Sequence, residues 1–313
     1  MQTLTKKITL RSFAKINLSI DVIGKLPNGY HEVDMIMQQL ELHDKVHVTW
    51  EPADEWSIHV STNRVYIPTD QRNIAYKAAQ SMIDIVAENY KGKIDIKIEK
   101  RIPVAAGLAG GSGNGAIVFL ALNHLWKLGL DVEKLCERGA GLGADVPFCI
   151  MGCARSNKLL GTQMNNDPLA CSCARARGIG TDLEPIKTGL DCFVVLSKPP
   201  ISVSTKEVYE GLDLSGEFEK PDNNQLIAGL KEKNYYKVTK NMINVLEIYT
   251  IKRYPIIMYT KNKTKELGKP LQVLMSGSGP TVFAIYTNKE KARAAADYLK
   301  KINRDTYLTR TTL

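Results

Sequence analysis

No apolar run in the 313-residue chain approaches the ~18 consecutive residues that a membrane-spanning helix requires. The opening stretch MQTLTKKITLRSFAK lacks the apolar core of a secretion signal. It turns to strand-like alternation too early for a transit peptide, so a cytoplasmic location with no membrane partner is expected. Cysteine is scarce, and the six present (Cys136, Cys149, Cys153, Cys171, Cys173 and Cys192) form no C-x-x-C pair. No two histidines are spaced to share a metal, so no metal site is indicated and reduced thiols are the expectation. Aromatic residues make up only 7%, and no Arg/Lys cluster interleaved with them stands out, which argues against a nucleic-acid partner. Acidic residues are outnumbered 33 to 42, leaving a net charge of +9. Such a surplus suits an anionic partner, or it is simply a solvated basic surface.

A chain of this length exceeds the usual single core and predicts two domains. In FAKINLSIDVI, residues Ala14, Ile16, Leu18, Ile20 and Val22 alternate with Lys15, Asn17, Ser19 and Asp21. That pattern predicts a strand with one polar face, on which Lys15 and Asn17 project together. DKVHVTW and KIDIKIEK read as further strands, and Asn73 is placed to cap a helix running through IAYKAAQSMIDIVAENY. Ile117, Leu120, Ala121, His124, Leu125 and Leu128 recur at helical spacing. DVEKLCERGAGLG predicts a short helix stopped by glycine. CFVVLSKPP reads as a strand, TKEVYEGL and NQLIAGLKEKNYYKV as helices, LQVLMSGSGPTVFAIY as strand–turn–strand, KEKARAAADYLKKI as a surface helix and DTYLTRTT as a last strand. Elements mixed in this way predict an α+β chain rather than one doubly wound sheet.

Between the KIDIKIEK strand and the following helix stands PVAAGLAGGSGNGA. At a helix N-terminus this loop would aim N–H groups and the positive dipole end at an anion, with Ser112 placed to cap the helix. It lacks the Gly-Lys-Ser/Thr of a Walker A loop, and Gly111, Gly113 and Gly115 do not fit G-x-G-x-x-G. On composition alone it is either a phosphate cradle or a flexible turn.

Three segments in order narrow this: SFAKINLSIDVIGKLPNGYHEVDMIMQQLELHDKV, PVAAGLAGGSGNGA and LMSGSGPTVFA. Together they resemble the three motifs of the GHMP kinase superfamily. LPNGYHEV, GADVPFCIMG and KPPISVSTKEVY resemble in particular its members that phosphorylate a cytidine-diphosphate-linked methylerythritol in the non-mevalonate isoprenoid pathway. The resemblance implies a ribosomal-protein-S5-like N-terminal domain over 1–180 and a ferredoxin-like C-terminal domain over 181–313. It also implies ATP and Mg²⁺ as cofactors and a small cytidine diphosphate substrate, in a monomer or homodimer. Asp145 would be the base that takes the substrate hydroxyl proton, and Lys15 would offset charge on the transferring group. The loop residues Pro103, Val104, Ala105, Ala106, Gly107, Leu108, Ala109, Gly110, Gly111, Ser112 and Gly113 would cradle ATP phosphates, with Ser112 the candidate metal contact. Asn17, Tyr30, His31, Thr205 and Tyr209 match substrate-facing positions, and Ser276–Thr281 would support the phosphate loop.

Two departures stand against this background. Gly113, Asn114 and Gly115 occupy positions where the family usually has Ser/Thr, Asp/Asn and Ala, which puts metal placement in doubt. The tripeptide CAR also recurs at 153–155 and 173–175. Removing 154–173 would leave FCIMGCARARGIGTDLEP, which reads as two joined strands, so an insertion extruded as a mobile loop is expected. A catalytically impaired member and another GHMP small-molecule kinase are the alternative readings.

Overall fold

The computed structural model describes residues 5–86 and 90–313. Its chain divides into two compact units, each built from three separate stretches. One contains the residues up to Ala14, Leu42–Ile102 and Ala109–Ser172; the other contains Lys15–Glu41, Pro103–Leu108 and Cys173–Leu313. Two long strands, β1 (Lys6–Lys25) and β2 (His31–Pro52), pair with each other and run from one unit into the other.

In the first unit the C-terminal half of β2 pairs antiparallel with β4 (Gly92–Glu99), in the register Val46↔Ile98, Val48↔Ile96 and Trp50↔Ile94. Strand β3 (Ser57–Thr62) lies parallel on the other side of β4. The alternation of β4 is as the sequence reads it: Ile94, Ile96 and Ile98 are buried, and the residues between them are not. Helix α1 (Ile74–Ile83) starts where Asn73 caps it, the side chain accepting from the Ala75 N–H. It ends earlier than the pattern predicts, because residues 84–86 turn; residues 87–89 of that expected helix lie outside the described ones. Helix α2 (Gly110–Trp126) is buried on nearly every side and packs on α1 and on α4 (Val146–Ser156), which also packs on α3 (Val132–Ala140). A helix enclosed in this way has no polar stripe to show, hence its near-continuous apolar sequence.

Two expectations fail here. VPFCIMGCARS is not a strand but helix α4, opened by Pro147 in its first turn, where a missing N–H is harmless. Nor is the stretch from 154 an extruded loop. After α4 it forms a 3₁₀ turn (Lys158–Leu160) and the short helix α5 (Thr162–Asn165), and it is tied into the unit by side-chain hydrogen bonds. The Asn157 side chain accepts from the Arg11 N–H at 2.8 Å and donates to the Arg11 carbonyl at 3.0 Å and the Cys153 carbonyl at 2.9 Å. Asp167 accepts from the Val132 N–H at 3.1 Å, and Asn165 donates to the Ala154 carbonyl at 2.6 Å. The repeated tripeptide lands in two settings, Cys153 ending a helix and Cys173 opening a strand. Replacing Asn157 by Ala strands both backbone groups of Arg11. Thermal and urea denaturation should register a loss of about 2–3 kcal/mol; an unchanged midpoint would make the segment dispensable to the unit.

The second unit holds β5 (Cys173–Gly178), which pairs antiparallel with the first half of β2, and β6 (Asp182–Pro185), which pairs with β5. A separate antiparallel sheet has the order β10-β7-β9-β8, made of β7 (Phe193–Lys198), β8 (Gln272–Met275), β9 (Val282–Tyr286) and β10 (Asp305–Arg310). The helices of this unit are α6 (Thr205–Gly211), α7 (Asn223–Lys231), α8 (Tyr235–Lys240), α9 (Glu247–Arg253), α10 (Pro255–Lys265) and α11 (Lys289–Leu299); α10 and α11 cover the four-stranded sheet. The single helix expected over NQLIAGLKEKNYYKV is two, α7 and α8, because Lys233 turns left-handed and Asn234 caps a fresh start. The two sheets and their helices make the fold α+β, as the sequence predicts. Among the described residues no helix is long and apolar enough to cross a membrane.

Arg175 on β5 grips Asp34 on β2 with two bonds, of 2.7 and 2.6 Å, and the pair is largely buried. Burial works to raise the Asp34 pKa. Bonds from Arg175 and Asn223, with the charges of Arg175 and Arg177, outweigh it and hold the carboxyl below its usual value. A carboxyl lowered by folding adds stability above its unfolded pKa, and that stability disappears as pH falls through the folded value. Asp34→Asn should therefore lose about 1–3 kcal/mol near neutrality and show a shallower acid decline than the parent. Equal acid slopes for the two proteins would contradict this.

All six cysteines are free thiols. Burial pushes Cys136, Cys153 and Cys192 up to about 12, so these thiols stay protonated and inert at neutral pH.

Candidate active site

The loop after β4 alternates in handedness. Ala105, Gly107 and Ala109 have φ of 50°, 68° and 54°, while the residues between them stay in the ordinary region. Left-handed alanines cost roughly 1–2 kcal/mol each and persist only where the surroundings enforce them. Here Ala106 and Leu108 are buried anchors. The Leu108 carbonyl accepts from the Lys15 N–H at 3.2 Å, and the Gly107 carbonyl accepts from the Ser276 hydroxyl at 2.9 Å. Successive N–H groups of a chain alternating in this way turn to one side and form a concave anion nest. A Cβ on Gly107 would collide with the Ser276 carbonyl, so only glycine allows this approach.

The nest leads into α2. Its N-cap is Ala109, which has no side chain to cap with, and Gly110 begins the helix. Ser112, expected as the cap, instead lies inside the first turn, because the left-handed residue at 109 starts the helix three residues sooner. The first N–H groups of a 17-residue helix therefore have no capping side chain, and the dipole favours an anion there.

The unusual Gly113 and Gly115 have a packing reason. A Cβ at 113 would lie 2.6 Å from Ser12 Oγ, and one at 115 would lie 2.5 Å from Ile74 Cγ2. The 113 position thus points inward at β1, so a missing hydroxyl there takes nothing from the outer face of the turn.

Lys15 and Asn17 do share a face of β1, with Lys15 Nζ donating to Asn17 Oδ1 at 2.7 Å. The polar face is not solvated: Lys15 is 4% exposed, and Asn17 and Ser19 are fully buried. Such residues need partners. Asn17 reaches Met35 Sδ at 3.2 Å, and Ser19 donates to Asn223 Oδ1 at 2.5 Å.

His31 and Tyr209 meet as rings 5.2 Å apart at 36°. His31 opens β2, and Tyr209 lies one turn after Thr205 on α6, which Ser204 caps. Burial, then the charge of Lys25, lowers the His31 pKa, so the ring is neutral at physiological pH. Tyr30 is exposed on the preceding turn, its N–H bonded to Asn28 Oδ1. The Thr205 hydroxyl is 2.9 Å from that of Ser278, which joins α6 to the third motif. That motif is a tight turn held from behind by residues the sequence reading missed. Asn244 donates to the Met275 and Gly277 carbonyls, both at 2.8 Å, and Glu247, paired with Lys261, accepts from the Met275 N–H at 2.7 Å. A lone Asn and a Glu in an irregular stretch carry no sequence signal of this role.

Asp145 belongs to the first unit, at the N-cap position of α4. Its side chain makes no cap hydrogen bond to α4. Lys15, Asn17, Tyr30, His31, Pro103–Leu108, Thr205 and Tyr209 belong to the second unit. Ala109–Gly113 and Asp145 belong to the first.

A long strand with a buried lysine, a left-handed loop opening a buried helix and a supporting glycine turn define a GHMP kinase. Residues 73–153 match the GHMP kinases N terminal domain, and residues 219–305 the GHMP kinases C terminal domain. The chain is 46% identical to the 4-diphosphocytidyl-2-C-methyl-D-erythritol kinase of Alkaliphilus oremlandii (strain OhILAs), over 98% of this chain and 97% of that one. It is 41% identical to the Bacillus subtilis (strain 168) protein of the same name, over 97% and 96%. A crystal structure of 4-(cytidine 5'-diphospho)-2C-methyl-D-erythritol kinase superposes with a TM-score of 0.76 at 28% identity, covering 98% of this chain and all of the other. The chain therefore belongs to the 4-diphosphocytidyl-2-C-methyl-D-erythritol kinase family.

Proposed function

We propose that the protein transfers the γ-phosphoryl group of ATP to the 2-hydroxyl of 4-diphosphocytidyl-2-C-methyl-D-erythritol, a step of the non-mevalonate route to isoprenoid precursors in the cytoplasm. The observation that carries this is the alternately handed loop at 105–109, an anion cradle of main-chain N–H groups at the start of α2. Phosphoryl transfer asks little covalent chemistry of a protein and much alignment and charge compensation. In this reading the loop from Pro103 to Gly113 holds the ATP phosphates. Asp145 accepts the hydroxyl proton as the new O–P bond forms and the bond to the ADP oxygen breaks. The Lys15 ammonium offsets the charge that develops on the transferring group. The neutral His31 and the Tyr209 ring offer apolar faces to a cytosine, with Asn17, Tyr30 and Thr205 as polar contacts to the rest of the substrate.

Among the described residues no group of three or more His, Cys, Asp or Glu side chains could hold a metal by itself. That fits a Mg²⁺ that arrives on nucleotide phosphates, since such an ion keeps phosphate and water oxygens and needs one or two protein ligands. The Ser112 hydroxyl, in the first turn of α2, would be one, and the ion would neutralise charge on the β- and γ-phosphates.

A coupled assay of ADP release, run with the cytidylyl substrate, with mevalonate, with homoserine and with none, tests the proposal. Release should require the cytidylyl substrate. Faster turnover of mevalonate or homoserine would replace this substrate assignment, and no turnover of any would favour an impaired member.

A further inference from the structure

In the first unit lies a polar cluster with almost no access to water: Ser12 and Asp44 are fully buried, Asn114 is 3% exposed and Lys100 is 5% exposed. Asp44 is its centre. Oδ1 accepts from the N–H groups of Arg101 at 2.7 Å and Ile102 at 2.8 Å. Oδ2 accepts from Lys100 Nζ and from Asn114 Nδ2, the latter at 2.9 Å. Asn114 also donates to Ser12 Oγ at 3.1 Å and accepts from Lys100 Nζ at 3.2 Å. Asn63 secures the Lys100 backbone on both sides, accepting its N–H at 2.8 Å and donating to its carbonyl at 3.3 Å.

A buried ion pair is a poor way to gain stability, because desolvating two charges costs several kcal/mol each and apolar residues of equal volume often do as well. The position of this pair gives it another use. The two N–H groups that Asp44 holds belong to the last residues before Pro103, and Asn114 is the first side chain beyond Gly113. One carboxylate therefore fastens both ends of the loop. Its cation is pressed against the helix start: a Cβ on Gly110 would lie 2.9 Å from Lys100 Nζ. An ammonium beside a helix N-terminus works against the helix dipole and in favour of an arriving anion.

We propose that Asp44, Lys100 and Asn114 are positioning residues for nucleotide binding. They fix the span between the end of β4 and the first turn of α2, and with it the shape of the phosphate cradle. This rests on the kinase reading, and its test separates the two. Asn114→Ala removes bonds to Asp44, Lys100 and Ser12 but leaves the ion pair paired. KM for ATP should rise about tenfold, with KM for the cytidylyl substrate within about twofold. Amide hydrogen exchange at 110–113 should quicken without nucleotide, while that of 117–125 holds. Ser12→Ala, which takes only one acceptor, is the milder second variant and should show the same split at roughly two- to fivefold. A parallel rise in both KM values, exchange quickened throughout the unit, or no change in either would overturn the proposal. If the parent protein turns over no ATP, the kinase reading fails, and the exchange pattern alone still decides whether the cluster positions the turn.

Discussion

Replacing Asp145 by Asn should lower kcat by about a thousandfold, with KM for both substrates nearly unchanged and the protein as stable as before. The change keeps size and shape and removes the negative charge and the ability to take a proton. Stability should survive because α4 does not use this side chain as a cap and has Pro147 in its first turn to set the starting φ. A variant that keeps its kcat would take Asp145 out of the base role. A variant that loses several degrees of Tm together with its rate would make the residue structural. Rates, KM values and a melting curve on one preparation distinguish the three outcomes.

Gly107→Ala should be nearly as damaging, by a different route. Its φ of 68° costs an alanine about 1–2 kcal/mol before any contact is counted. The added carbon would then meet the Ser276 carbonyl, and the turn carrying that carbonyl cannot retreat, because Asn244 and Glu247 hold it from behind. The loop must therefore move away from its nest geometry. We expect about 3 kcal/mol less stability in urea and at least ~100-fold weaker ATP binding by titration. Gly141→Ala, outside the loop, is the control. It is exposed at the C-cap of α3 with an ordinary φ of −66°, a Cβ there would come no nearer than 3.6 Å to the Arg138 carbonyl, and a small gain of about 0.4–1 kcal/mol with unchanged ATP binding is expected. Similar losses for both alanines would show that the effect at 107 does not come from this one close approach.

Much of the architecture was readable from local pattern. Asn73, Asp131 and Asn288 cap helices as their residue types predict, and the Ile94–Ile98 alternation marks β4 without ambiguity. The misreadings have specific causes. Alternation predicted a polar face on β1 but not what covers it; Asn223 and Met35 come from distant parts of the chain to meet it. VPFCIMG has the short apolar length that fits a strand or a buried helix equally well, and its surroundings in the first unit chose the helix. Helices α9 and α10 escaped notice because their apolar spacing is weak. The loop after β4 was legible as a glycine-rich segment, but its left-handed alanines were not, since alanine composition carries no hint of positive φ. The Asp44 cluster gave no sign at all: its members are 102 positions apart at the extreme, from Ser12 to Asn114.

The ring pair at 5.2 Å carries a geometric demand of its own. A base sandwiched between two planar groups needs them about 7 Å apart, twice a carbon contact distance. Neither His31 nor Tyr209 can admit a nucleobase between them without one swinging aside by roughly 2 Å. Under the proposed function, a cytosine that binds here must either pry this clasp open or settle on the outer surface of one ring, and solvent-quenched fluorescence of Tyr209 would differ between those arrivals.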